Sequence, residues 1–338
     1  MTFTVVLASD GSAQANVARD LVAALALPQD ATVRIVSALG TAPSLAGLSG
    51  SMRDELIAGA IAAIERELAE YAAPLQRHGL RVECAALEGR AATAIVDDAV
   101  SARADLVVVG SHGRGELGSL LLGSVSAEVV DRAPCPVLVA RGRALEHVIL
   151  AEDGSTNARL ARDVVTGWEI FRKATVRVVS VAHVAPYFHS GIAPSERAVV
   201  HRALVASLAA TRHEHERLAT RSEHRLAQAG LRSGAEVRLG VPAAEIVSAA
   251  RAWPADVVVL GSRGRTRIAR LLLGSVARGV LLGAPCSVLV VPRKAVRGTR
   301  SRIPAPFVSA GSIRSRTPRE SVQRMGVRSA ERAVATAG

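Results

Sequence analysis

Short, almost wholly apolar runs bounded by polar residues recur along this chain, separated by longer stretches whose apolar residues return with helical spacing. Runs of four to eight such residues are expected to be strands, and continuous ones strands buried on both faces, as in a parallel sheet under helices. In the first half the pattern predicts a strand ending near Ala8 and a helix over 12–26. A strand over 32–38, a helix over 54–78, a strand over 80–87 and a helix over 91–102 follow. A strand over 105–109 leads into a glycine-containing loop, a helix from Ser124 and a last strand over 136–140. Strands alternating with helices imply right-handed crossovers and a doubly wound α/β sheet.

The pattern occurs twice. VVLASDGS at 5–12 returns as VILAEDGS at 148–155, ATVRIVSAL at 31–39 as ATVRVVSVA at 174–182, and APCPVLVAR at 133–141 as APCSVLVVP at 284–292. A repeat of this size makes two domains, 1–143 and 144–294. Asp10 and Asp153 lie 143 positions apart but Gly110 and Gly261 lie 151 apart, so the second copy holds about eight extra residues, most simply in its long central helix. The remainder, 295–338, is rich in Arg, Ser, Pro and Gly without a sustained apolar period and is expected to be a disordered basic tail.

Candidate chemistry gathers after the fourth strand of each copy. Gly110 and Gly113 are followed by Gly123-Ser124, and Gly261 and Gly264 by Gly274-Ser275. Glycine lets backbone approach a bulky anion, and a helix start beginning with serine, read as its N-cap, points N–H groups at one spot. The spacing therefore predicts a phosphate cradle in each copy. Arg114 and Arg265 occupy matched positions inside the loops and suit phosphate.

With 338 residues, 49% hydrophobic and 21% charged, the chain is long enough for two full cores, and with 2% aromatics those cores must be built from Val, Leu, Ala and Ile. The net charge of +12 is concentrated in the tail: from Arg293 onward 11 basic residues face 2 acidic ones. Without interleaved aromatics the tail is expected to bind polyanions only non-specifically. No apolar run reaches membrane-spanning length, residues 1–5 lead straight into a strand, and three cysteines make no disulfide framework, so a cytoplasmic protein is expected. The four histidines of the long second-copy helix have no metal-site spacing, and no P-loop, paired carboxylates or nucleophile–base motif is present. Fast catalysis is therefore not expected.

Asp10-Gly11-Ser12 and Asp153-Gly154-Ser155, the two Gly-x2-Gly-x9-Gly-Ser loops, Gly240-Val241-Pro242-Ala243, and the closing Ala-Pro-Cys-x-Val-Leu-Val of both halves resemble a tandem universal stress protein of the UspA family. In the first copy Ala91 stands where that family tends to have proline. The resemblance implies two parallel five-stranded sheets in the order 3-2-1-4-5, like the adenine nucleotide alpha hydrolases. It implies ATP bound at both loops, with Mg²⁺ as its companion ion, Asp10 and Asp153 near the ribose, and backbone contacts to adenine from Ala38 and Val181. The order reverses between strands 1 and 4, where open α/β sheets bind ligands, and those strands end at Asp10 and Gly110 or at Asp153 and Gly261. The leading expectation is an ATP-binding regulatory module in stress response. The alternatives are a nucleotide-free scaffold for protein partners and a slow ATPase. The last strands, 137–140 and 288–291, would otherwise expose apolar edges, so they are expected to pair as an intramolecular pseudo-dimer, with a further homodimer as an extension.

Overall fold

The computed structural model describes residues 2–40, 50–113, 122–183, 197–264 and 273–293. Arg114, Arg265 and the tail from 294 onward lie outside the described residues. The first repeat runs β1 (Thr4–Ala8), α1 (Ala13–Ala24), β2 (Thr32–Leu39), α2 (Gly50–Arg77), β3 (Arg81–Glu88), α3 (Ala91–Ser101), β4 (Leu106–Gly110), α4 (Ser124–Arg132) and β5 (Val137–Ala140). The second runs β6 (His147–Ala151), α5 (Thr156–Gly167), β7 (Thr175–His183), α6 (Arg197–Gln228), β8 (Arg232–Gly240), α7 (Pro242–Ala252), β9 (Val257–Gly261), α8 (Ser275–Gly283) and β10 (Ser287–Val291), with a 3₁₀ turn at Glu169–Phe171.

Each repeat has the strand order 3-2-1-4-5, all parallel within the repeat, and the two join into one ten-stranded sheet, β3-β2-β1-β4-β5-β10-β9-β6-β7-β8. The junction is the only antiparallel pairing in that sheet among the described residues: Val137 faces Val290, Leu138 faces Leu289 and Val139 faces Val288. Every residue of β5 and β10 is buried, so the apolar edges that a lone repeat would present to water cover each other.

Helices lie on both faces because successive strand residues alternate sides. Val5 and Leu7 point into a core roofed by α1, α2, α5 and α6, with Leu21, Leu75, Leu160 and Leu226 from those helices. Val6 points into the other core, with Ile95, Val129, Ile246 and Val280 from α3, α4, α7 and α8. With so few aromatics, Phe171 is the largest fully buried side chain, and Phe3 of the first repeat meets Trp168 of the second edge to face at 5.2 Å.

Of the eight extra residues of the second repeat, four lie in α6, which has 32 residues against 28 in α2; the other four fall at 184–196, outside the described residues.

Candidate functional site

At the carboxyl end of β1 the chain turns through Ser9, Asp10 and Gly11. Gly11 has φ +73°, a left-handed conformation that a Cβ would oppose. Ser12 caps α1, its Oγ accepting from the Ala15 N–H at 3.1 Å. Asp10 is thereby freed from capping: one carboxylate oxygen accepts from the Ser12 N–H at 3.0 Å. The other lies where a side chain on Gly113 would begin, 2.5 Å from the position of a Cβ. The second repeat copies this arrangement. Gly154 has φ +79°, Ser155 caps α5 through the Ala158 N–H at 3.1 Å, and Asp153 accepts from the Ser155 N–H at 2.9 Å. A Cβ on Gly264 would stand 2.6 Å from the other oxygen of Asp153.

The glycines that end β4 and β9 serve a different purpose. A Cβ on Gly110 would meet Gln14 at 3.0 Å, and one on Gly261 would meet Asn157 at 2.5 Å, so these two permit α1 and α5 to pack against the strand ends. Gly123 and Gly274 close the loops: their N–H groups donate to the carbonyls of Ser111 and Ser262 at 2.7 and 2.8 Å.

One expectation is corrected here. Ser124 and Ser275 are not caps; they are the first helical residues, and Gly123 and Gly274 are the caps, with no side-chain hydrogen bond. Loop closure draws the preceding glycine into the extended cap conformation and moves each serine one position into the helix. The caps of α4 and α8 thus supply no side-chain acceptor to the first turn, which starts beside Gly113 or Gly264. Ser126 secures the geometry by donating to the Gly110 carbonyl at 2.7 Å.

Ala38 and Val181 fall where strand pairing stops. The Ser9 N–H bonds the Val36 carbonyl at 2.8 Å, and the Glu152 N–H bonds the Val179 carbonyl at 2.9 Å; neither ladder to β1 or β6 continues further. With a period of two, the next backbone groups aimed the same way belong to Ala38 and Val181. On their other side both strands go on pairing, with β3 and β8, which holds them straight over the cleft. Asp, glycine loop and helix start therefore come together at the carboxyl ends of the strands in each repeat, where the ladder to β2 or β7 ends. Of the predicted site residues, only Arg114 and Arg265 fall outside the described ones. His112 bonds its neighbour Ser111 at 3.1 Å through Nδ1.

Behind the second cleft lies a polar cluster that sequence reasoning missed. Glu152, 4% exposed, receives the Gly154 N–H at 2.8 Å on one oxygen and the Ser222 hydroxyl on the other. Arg162 bonds Ser222 at 3.1 Å and lies 3.7 Å from Glu152. Ser180 donates to the Glu152 carbonyl at 2.6 Å and meets Nδ1 of buried His215 at 2.8 Å. In the first repeat the same space holds Ser9, Tyr71 and Arg19: the Tyr71 hydroxyl donates to the Ala15 carbonyl, and Arg19 lies over its ring at 5.0 Å. Burial pushes the Tyr71 phenol up to about 12. The available signal was a paired exchange, Ser9 with Tyr71 for Glu152 with Ser222, visible only once the helices are aligned by structure. Cys135 and Cys286 are buried, and burial raises their thiols to about 12 and about 11, so they stay protonated; Cys84 is exposed on β3.

A doubly wound α/β chain that repeats, at each reversal point, an aspartate set against a loop glycine is the class of protein this defines. The family model for the universal stress protein family matches it twice, over residues 1–141 and 145–292. The chain belongs to the universal stress protein family. It is 37% identical over 139 residues to a universal stress protein of Thermus aquaticus, covering 41% of this chain and 98% of that one. It is 32% identical over 228 residues to one from Mycolicibacterium smegmatis, covering 64% and 70%. Among solved structures, a universal stress protein from Archaeoglobus fulgidus DSM 4304 superposes with a TM-score of 0.58 at 17% identity, covering 86% of this chain and 96% of that one, a likeness of fold. Among the described residues no helix is long and apolar enough to cross a membrane.

Proposed function

We propose that both clefts bind ATP and that the chain is a nucleotide-dependent regulatory module of the stress response, without fast turnover. The observation that carries the reading is the approach of Gly113 to Asp10 and of Gly264 to Asp153, in each case a carboxylate beside a loop with room for no side chain. A carboxylate so placed accepts hydrogen bonds from ribose hydroxyls. Glycine backbone and the uncapped first turn of α4 or α8 offer N–H groups to phosphate. The open strand ends at Ala38 and Val181 offer backbone groups to an adenine edge, and Mg²⁺ would accompany the triphosphate.

The domain limits that go with this reading are 1–143, 144–294 and a basic tail over 295–338. The β5–β10 pairing favours a companion role, in which the chain acts as an intramolecular pseudo-dimer and presents the sheet's outer helices to protein partners. Native mass spectrometry of purified protein and an ATP-dependent thermal shift test the nucleotide reading together. Replacing both Gly113 and Gly264 with alanine is expected to weaken ATP binding by about tenfold or more, since the new methyls displace the Asp10 and Asp153 carboxylates. Unchanged affinity in that double variant overturns the assignment.

A further inference from the structure

At the opposite end of the sheet the repeats differ in a way that points to another ligand. We propose that the first repeat binds a planar, cationic aromatic molecule against the guanidinium of Arg34, in a cleft that the second repeat fills with its own Trp253. This inference is independent of the nucleotide clefts, which lie at the carboxyl ends of the strands.

In the second repeat Arg177 of β7 lies over the Trp253 ring at 4.6 Å, and His147, at the start of β6, meets that ring edge-on at 5.4 Å. Trp253 is the residue that ends α7. The repeat register relates these residues to the first repeat without ambiguity. Arg34 on β2 corresponds to Arg177, each being the third residue of its strand in register with β1 or β6. Thr4 opens β1 as His147 opens β6, and Ala102 ends α3 as Trp253 ends α7. Where the second repeat has a histidine and a tryptophan the first has a threonine and an alanine, with an arginine at the same strand position in both. The result is a cavity of about 400 Å³ whose lining includes Thr4, Thr32, Arg34, Glu83, Asp98 and Ala102.

The cavity floor is built. Arg34 Nε and Nη2 bond the Asp98 carboxylate at 2.8–3.0 Å, and Nη1 reaches Glu83 at 3.4 Å, so the guanidinium plane is fixed by its edges and its face is left for stacking. The Asp98 side chain is only 8% exposed. Neither carboxylate has a counterpart at its own position in the second repeat, where Gly234 takes the register position of Glu83 and Ala249 the helix position of Asp98; Arg177 meets a single carboxylate, Glu236, at 3.5 Å. Two carboxylates against one guanidinium give the cleft a net negative charge. With the threonine hydroxyls they suit a ring carrying N–H donors and a cationic arm, and disfavour an anionic one. The chain itself demonstrates that an indole ring fits over an arginine in this setting.

The test uses the full chain, with tryptamine as cationic probe and indole-3-acetate as its anionic counterpart, followed by calorimetry and by chemical-shift mapping. Saturable tryptamine binding that shifts Thr4, Thr32 and Ala102 amides is expected, with indole-3-acetate at least about fivefold weaker. Ala102→Trp supplies the ring the second repeat already has, and should weaken tryptamine by about tenfold or more without altering ATP binding. Glu83→Gln, at an exposed edge position, should weaken tryptamine by about threefold and leave neutral indole unchanged, which keeps the proposal testable if Ala102→Trp folds poorly. Absence of saturable binding at millimolar tryptamine, equal affinity for the two probes, or full affinity in Ala102→Trp would each overturn it.

Discussion

Asp131 shows how a single side chain carries a cost that the sequence does not display. One of its carboxylate oxygens is buried with no hydrogen-bond partner among the described residues, and the other lies 3.8 Å from Arg278 of the second repeat. Burial raises its pKa above the ordinary 3.8, and Arg278 only partly opposes this. A carboxyl whose folded pKa is raised lowers stability once it ionises; the penalty is present above the folded pKa and absent below the unfolded value. Asp131→Asn is therefore expected to raise stability at neutral pH by up to about 1 kcal/mol, seen as a higher denaturation midpoint. The gain should shrink as pH falls through the carboxylate range and vanish below it. Other residues were legible beforehand by type and place. Asp10 and Asp153 stood out from their position after the first strand; each lies beside a loop glycine, held by the Ser12 or Ser155 N–H instead of capping a helix itself. The exchange of Ser9 and Tyr71 for Glu152 and Ser222 was not legible, because each partner comes from a different element, 62 or 70 positions away.

Among the elements, the strands were the easiest to read, since continuous Val- and Leu-rich runs have few other stable places. Helix starts were harder. The sequence motif Gly-Ser suggested serine as the cap of α4 and α8, but the closing hydrogen bonds of Gly123 and Gly274 set the helix start one residue earlier. At α1 and α5 the opposite holds: Ser12 and Ser155 do cap, each accepting from an N–H three residues on. Ser155→Ala should cost about 1 kcal/mol in chemical denaturation, and Ser155→Asp should recover most of it, because an Asp carboxylate accepts the same bond and favours the helix N-terminus. The main-chain N–H of residue 155 that Asp153 accepts survives both substitutions, so the turn that holds Asp153 stays in place. Unchanged ATP affinity in Ser155→Ala and Ser155→Asp is the expected companion result.

For the whole molecule, the decisive contact is the β5–β10 seam. Leu138 and Leu289 face each other there, each 1% exposed, and both belong to the core that runs under α1 and α5. Leu138→Lys would bury an ammonium without a carboxylate partner and is expected to cost about 3 kcal/mol or more. Two denaturation transitions in place of one, or a marked loss of midpoint with an expanded hydrodynamic radius, would report it. A variant as stable as the parent would mean that the seam contributes little. Further links across the repeats agree with a seam that matters: Arg141 donates to the carbonyls of Leu281 and Cys286, and its N–H to Ser287 Oγ at 3.1 Å. Burial at the seam lowers the Arg141 pKa from its ordinary value.

The sequence by itself determined the repeat, the strand–helix alternation, the reversal points and the glycine positions, since these follow from local hydrophobic period and from backbone sterics, both written residue by residue. Only the tertiary structure decided the antiparallel register in which the two sheets join, that Glu152 and Ser222 replace Ser9 and Tyr71, and that Trp253 fills in one repeat what Ala102 leaves open in the other. Those outcomes depend on which side chains, distant along the chain, compete for the same volume. Close packing resolves that competition, and no periodicity encodes it.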